Sequence, residues 1–269
     1  MDSTLVIAYG TGSRNLAKRY SNGKHPIVLM DKKNFHDSGA PCETCIHVDE
    51  DIESGLREVC RLMSGYTYAV LIFSSSSVSG QEVYEGMIKC ASNAKTKLIV
   101  FCISPFSFET EKLDRTVSFF SDFDPDTGNI FLFDYQKTVN MDQPPGKCDE
   151  FLESTNNLAA QILGAIVNLL ESSPFFSYCS DPVYTMAVGT GQALNESIND
   201  ALAHPFFDTY PGCGKILILS DREPDEVERE SAVQLLTLKA NAMPEFAGRS
   251  GLGEDKVLLF IPTSFRPHE

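Results

Sequence analysis

The chain has 269 residues, 42% of them hydrophobic and 22% charged, with 22 basic against 37 acidic side chains and a net charge of −15. That composition supports a large packed core and excludes disordered, collagenous and coiled-coil chains. The negative charge disfavours nucleic acid as a partner, no apolar run approaches the roughly 18 residues of a membrane span, and the N-terminus lacks a signal-peptide pattern, so a cytoplasmic location with no membrane partner is expected.

Residues 5–9 read as a buried strand, followed by the glycine turn Gly10-Thr11-Gly12-Ser13 and a helix through Tyr20. Residues 27–30 form a second strand. Helical spacing over 51–63 (Ile52, Leu56, Val59, Cys60, Met63) leads to a third strand at 68–73. A helix over 81–91 and a strand over 97–103 follow. Strand and helix in alternation imply parallel pairing with right-handed crossovers. In the reducing interior of a cell the eight cysteines are expected as thiols, with Cys60, Cys90 and Cys102 as small core residues.

Residues 119–130 are turn-rich, residues 130–133 make a further strand, and residues 141–149 form a loop. The longest helical pattern runs over 150–170. It is apolar on more than one face in its second half, as a helix between two layers must be. After Pro174 the texture changes. A strand at 184–188, a helix at 192–203, strands at 215–219 and 235–240 around an acidic helix at 225–230, and a last strand at 256–261 make an α+β pattern. The fold class is thus α/β: a Rossmann-like parallel-sheet domain at 1–149, a long central helix at 150–173, and a second, smaller α+β domain at 174–269.

Glycines at Gly10 and Gly12 let backbone N–H groups approach a phosphate at a helix N-terminus. Asn15 stands where the dinucleotide fingerprint has its third glycine, and Asp31 ends the second strand where a ribose-binding acid would stand. His36, Cys42, Cys45 and His47 form a cluster with half of a zinc pattern. No second Cys-x-x-Cys completes it, and no metal site is expected. Ser74, Ser75, Ser76 and Ser77 follow a strand and could donate hydroxyls to an anion. His204 reads as a helix-end residue and the acidic stretch 221–230 as a solvated face.

Several separated segments together resemble the FtsZ/tubulin family, on the FtsZ side. Ser104-Pro105-Phe106-Ser107-Phe108-Glu109 is similar to the family's K-P-F-x-F-E-G segment. Met186-Ala187-Val188-Gly189-Thr190-Gly191, with Asn195, Ala201 and Pro205-Phe206-Phe207 after it, resembles the A-M-M-G-x-G stretch and the helix ending in S-P-L-L. The long helix stands where the family has its central helix, and Gly10, Gly12 and Asn15 fall in its first glycine turn. The resemblance implies a GTP or GDP site involving Gly10, Thr11, Gly12, Ser13, Asn15, Gly80, Glu109, Asp134 and Asn156. It also implies assembly with itself or with another FtsZ-like subunit.

The departures from the family pattern bear on activity. Counted back without gaps from Pro105, the phosphate-wrapping G-G-G-T-G-T-G falls on Val78-Ser79-Gly80-Gln81-Glu82-Val83-Tyr84, where only Gly80 survives and Glu82 brings a carboxylate toward phosphate. Leu113 replaces the arginine after Glu109, and Asp134 an asparagine. Asn156 or Asn157 replaces the guanine-reading aspartate. The acids that activate water at a subunit junction fall on Ser173 and Phe176, with Glu171 and Asp181 as substitutes nearby. The sequence ends soon after its last strand, so the family's adaptor-docking tail is expected to be missing. No catalytic residue is assigned. A pocket filled with side chains is expected, and with it weak or absent GTPase activity in an interaction or regulatory subunit of cytoskeletal or cell-division type. The rival readings are a polymerising GTPase and a dinucleotide-dependent oxidoreductase built on Gly10, Gly12 and Asp31.

Overall fold

The computed structural model describes residues 3–20, 24–31, 44–48, 52–105, 109–121, 129–134, 148–172, 183–204 and 214–263. The strands are β1 (Thr4–Tyr9), β2 (Ile27–Asp31), β3 (Thr44–His47), β4 (Tyr68–Ser74), β5 (Lys97–Ser104), β6 (Asn129–Asp134), β7 (Val183–Thr190), β8 (Lys215–Ser220), β9 (Met243–Gly248) and β10 (Lys256–Pro262). The helices are α1 (Thr11–Tyr20), α2 (Ile52–Met63), α3 (Val78–Ala94), α4 (Thr110–Ser121), α5 (Cys148–Ser172), α6 (Leu194–Ala203) and α7 (Glu226–Ala240). The strands make one sheet in the order β3-β2-β1-β4-β5-β6-β7-β10-β8-β9. Every neighbouring pair is parallel except the two that β10 makes, with β7 and with β8.

Near-continuous apolar runs such as Leu5-Val6-Ile7-Ala8 and Ala69-Val70-Leu71-Ile72-Phe73 form central parallel strands because helices bury both of their faces. On one face Val6, Ala8, Val70, Ile72 and Phe101 pack with Leu16, Ala17 and Tyr20 of α1 and with α5. On the other, Leu5, Ile7, Leu71 and Phe73 pack with α2 and α3 through Val59, Met63, Val83 and Met87. The α5 residues Ile162, Leu163, Ile166 and Leu170 share one cluster with Val70 and Phe131, and with Leu217, Leu258 and Phe260 from the far part of the sheet. This is why the second half of α5 is apolar on more than one face. A third cluster joins Ala187, Ile216, Ile218 and Leu259 to α6 and α7.

Residues 235–240, expected as a strand, are the second half of α7. Asp225 caps this helix, accepting from Glu228 N at 2.8 Å, and Asn241 closes it in the left-handed region at φ 46°. The buried residues Ala232 and Leu236 lie one turn apart, the helical period hidden in the Leu-Leu-Thr-Leu run. Topology demands the helix too: β8 and β9 are parallel, so a crossover must join them. The actual strand is β9, next along the chain. Thr44, Cys45, Ile46 and His47, where no strand was expected, form β3, an edge strand in register with β2. Among the described residues no helix is long and apolar enough to cross a membrane.

Candidate functional site

In a parallel sheet the carboxyl ends of the strands open onto a crevice, and the helix that follows each strand presents its N-terminus there. The end of β1 makes the first wall. Gly10 turns the chain at φ +85°, and its N–H donates to the Met30 carbonyl at 3.1 Å. Only glycine adopts that conformation without strain. Arg14 N then donates to the Gly10 carbonyl at 3.0 Å to start α1. A methyl group built on Gly10 or on Gly12 would meet nothing within 4 Å, so the first turn of α1 faces open space.

The end of β4 makes the second wall. Ser77 caps α3, accepting from Gly80 N at 3.1 Å. Ser74 Oγ and Ser76 Oγ are hydrogen-bonded at 2.9 Å, while Ser75 turns inward to Thr116 Oγ1 at 3.0 Å. Gln81 Nε2 donates to the Ser75 carbonyl at 2.6 Å and braces the turn. Ser74, Ser76 and Ser77 line a cavity of about 440 Å³ together with Gly10, Thr11, Gly12 and Ser13. That volume lies within the range of small-molecule sites. Glu109 and Lys112, which form an ion pair, line it as well, as do Leu152 and Asn156 of α5.

Of the residues anticipated from sequence, Gly10, Thr11, Gly12, Ser13, Asn15, Glu109 and Asn156 line this one cavity. Gly80 does not. It lies inside α3, where an added Cβ would stand 3.1 Å from the Ser74 carbonyl and 3.2 Å from the Phe73 ring, and its N–H donates to Ser77. Asp134 ends β6 opposite Ser104, half-buried, beside the cavity-lining residues rather than among them. The gapless placement of the phosphate-wrapping turn on residues 78–84 is corrected: those residues form the first two turns of α3. The turn between β4 and α3 is Ser74-Ser75-Ser76-Ser77, because α3 and β5 together span more residues than that count assumed. Glu82 is an exposed side chain on α3, outside the lining. The expected filling of the pocket is corrected too, since the cavity is open beside both glycines.

Sequence reasoning passed over Tyr9 and Lys112, which also line the cavity. Burial raises the Tyr9 hydroxyl pKa against a lowering hydrogen bond from Ser79, and the charges of Asp31 and Glu82 raise it further. The Tyr9 hydroxyl is thus a neutral donor at physiological pH. Asp31 is engaged by Arg14 at 2.8 Å, both side chains largely buried, and Thr11 Oγ1 stands 3.5 Å from the same carboxylate. The dinucleotide reading assigns that carboxylate to a ribose, and here its Oδ2 is bound within the protein.

Glu171, at the C-terminal end of α5, has both oxygens held. Lys24 Nζ donates to Oε2 at 2.8 Å, and His25 Nε2 lies 3.0 Å from Oε1. Tyr20 Oη in turn stands 2.6 Å from His25 Nδ1. Ser173, Phe176 and Asp181 lie outside the described residues, as do His36 and Cys42. Cys45 is half-buried and packs against the core, and Cys60, Cys90 and Cys102 form no disulfide. Among the described residues no three His, Cys, Asp or Glu side chains gather to hold a metal ion. His204 ends α6, with Nδ1 at 3.1 Å from the Asp200 carbonyl.

No family model and no curated protein matches the sequence. Solved structures do match in three dimensions. An FtsZ mutant from M. jannaschii superposes with a TM-score of 0.80 at 11% identity, covering 98% of this chain and 91% of that one. CetZ2 from Haloferax volcanii, in a GTPgS-bound protofilament, gives 0.76 at 13% identity over 99% and 94% of the two chains. TubZ of Clostridium botulinum phage c-st gives 0.69 at 10% identity over 98% and 94%. The chain has the FtsZ/tubulin fold.

Proposed function

From the FtsZ/tubulin fold as premise, we propose that this chain is a cytoskeletal-type subunit. It binds a nucleoside di- or triphosphate in the cavity between the glycine turn and the serine turn, and it hydrolyses the nucleotide slowly. The observation that carries this reading is the cavity itself: helix N-termini from α1 and α3, the open backbone at Gly10 and Gly12, and the hydroxyls of Ser74, Ser76 and Ser77 converge on one space. Backbone N–H groups and hydroxyls are donors, and phosphate oxygens are acceptors. Lys112 supplies a cation at the same wall.

Slow turnover follows from the acids. The family resemblance puts the water-activating positions on Ser173 and Phe176, which carry no carboxylate, and Glu171 is tied to Lys24 and His25. Partners are further copies of this chain or a related subunit, as the protofilament form of the CetZ2 structure suggests by analogy. In sedimentation with GTP and magnesium the purified protein is expected to pellet, alone or with an added FtsZ-like subunit. In a phosphate-release assay its rate is expected to stay at least about a hundredfold below that of an active FtsZ, the scale on which loss of a water-positioning residue acts. Release at the rate of an active FtsZ would remove the slow-turnover reading. No nucleotide effect on sedimentation in either setting would remove the assembly reading.

A further inference from the structure

The face of the sheet opposite α5 carries a pair of thiols outside the cavity. α2 joins β3 to β4 and α3 joins β4 to β5, all parallel strands, so the two helices run in the same direction and pack side by side. Leu56 and Cys60 lie one helical turn apart on α2, and Gly86 and Cys90 lie one turn apart on α3. The two pairs meet in register. A Cβ added at Gly86 would run into Leu56 Cδ1, so the leucine occupies the space a side chain would take. One turn on, Cys60 Sγ stands 3.8 Å from the Cys90 carbonyl oxygen, and Cys90 Sγ stands 3.6 Å from the Leu56 carbonyl oxygen. Each sulfur thus reaches across to the backbone of the other helix.

The two sulfurs differ in access. Cys60 is half-buried, so a small oxidant reaches it, whereas Cys90 is 7% exposed. Burial pushes the Cys90 thiol up to about 12, and the hydrogen bond and charge of the adjacent Cys60 add to the rise. Cys60 is the sulfur that meets solvent, and Cys90 stands behind it as a thiol. A disulfide needs its two Cα atoms within about 7 Å, and a glycine at the contact draws two helices toward that range.

We propose that Cys60 and Cys90 form a redox modification site, a reversible intrachain disulfide that fastens α2 to α3. The oxidant is a low-molecular-weight disulfide such as oxidised glutathione. The Cys60 thiolate attacks one of its sulfurs, which forms a mixed disulfide and releases one glutathione thiolate. Cys90 then gives its proton to solvent and attacks the Cys60 sulfur, which expels the second glutathione thiolate. Two electrons pass from the protein sulfurs to the oxidant, and both released thiolates take up protons. Neither cysteine lines the cavity, so the proposal does not rest on the nucleotide-binding reading.

The test incubates the full chain in a glutathione buffer on the oxidising side, blocks remaining thiols with iodoacetamide, and maps the digest by mass spectrometry. The expected result is a peptide pair joined through Cys60 and Cys90, lighter than the two reduced peptides by the two thiol hydrogens and separated again by dithiothreitol. Cys90→Ala is expected to stop at the mixed disulfide, with one glutathione on Cys60. The map of the unaltered chain decides the proposal whether or not that variant folds. Recovery of both cysteines as alkylated thiols would overturn it. So would Cys60 held by glutathione, or joined to any cysteine other than Cys90, in the unaltered chain.

Discussion

Glu171 has both carboxylate oxygens engaged, and its surroundings pull on its proton from two directions. Burial raises its pKa, but the hydrogen bonds and charges of Lys24 and His25 outweigh burial and the net shift is downward. Asp221 is shifted the same way: burial is outweighed by the N–H groups of Gly251 and Gly253, each at 2.8 Å, and by Ser250 and Arg249. A carboxyl with a depressed folded pKa contributes stability that is complete above its unfolded value, about 4.3 for glutamate, and is lost as pH falls through the folded value. Most of the Glu171 contribution lies on the His25 side, because the Lys24 ammonium is largely exposed and screened by solvent. The melting temperature of Glu171→Gln should therefore lie below that of the unaltered protein at neutral pH. The gap should close as pH drops below about 4. Because Asp221 titrates in the same window in both proteins, it cancels in the difference. A gap that persists on acidification would show that the carboxylate charge is not what Lys24 and His25 recognise.

At the scale of elements, glycine marks where two of them touch. A Cβ added at Gly189 of β7 would stand 1.9 Å from the Ser197 carbonyl and 2.4 Å from Ala201 N, both backbone atoms of α6. Neither can step aside, so Gly189→Ala is expected to cost roughly 3 kcal/mol or more. For a chain of this size that lowers the melting temperature by several degrees at least. Gly164 of α5 is the contrast: its added Cβ would meet the Tyr20 ring at an ordinary 3.7 Å. Gly164→Ala should stabilise by about 0.5–1 kcal/mol through helix entropy. Scanning calorimetry on both variants checks the opposite signs.

The same elements show what the sequence could and could not convey. β1, β4, β5 and β6 were legible because burial on both faces leaves no polar interruption, and α5 because its apolar period runs for many turns. β3 and β9 were not. β3 is a short edge strand, and β9 is half-exposed along its length and contains Pro244. The run Leu235-Leu236-Thr237-Leu238 looks like a strand until the parallel pairing of β8 with β9 demands a crossover. Gly10 and Gly12 announced the first wall of the cavity through their residue type alone. The serine run of the second wall was read as able to donate hydroxyls to an anion, but the phosphate-wrapping turn was placed past it on residues 78–84, because the turn's place is fixed by where β4 ends against β5.

At the scale of the whole molecule, one sheet and one long helix hold two unlike regions in register. The cavity sits where the ends of β1, β4 and β5 meet the first turns of α1 and α3 and the flank of α5. The fold match spans 98% of this chain against the M. jannaschii FtsZ, at 11% identity. The fold is therefore shared while few side chains are. The cavity lining carries hydroxyls on the serine turn and an amide on α5, and outside it an acid at the end of α5 is locked by a lysine and a histidine.

The account stands on phosphate being held against the first turn of α1, and titration of a fluorescent GDP analogue against the purified protein and against Gly12→Val tests this most directly. A valine at Gly12 projects into open space, so the variant should keep its melting temperature to within a few degrees while blocking the approach of phosphate. The expected result is saturable, single-site binding by the unaltered protein, weakened at least about tenfold in the variant. Absence of saturable binding, or binding that the valine leaves untouched, would contradict the account.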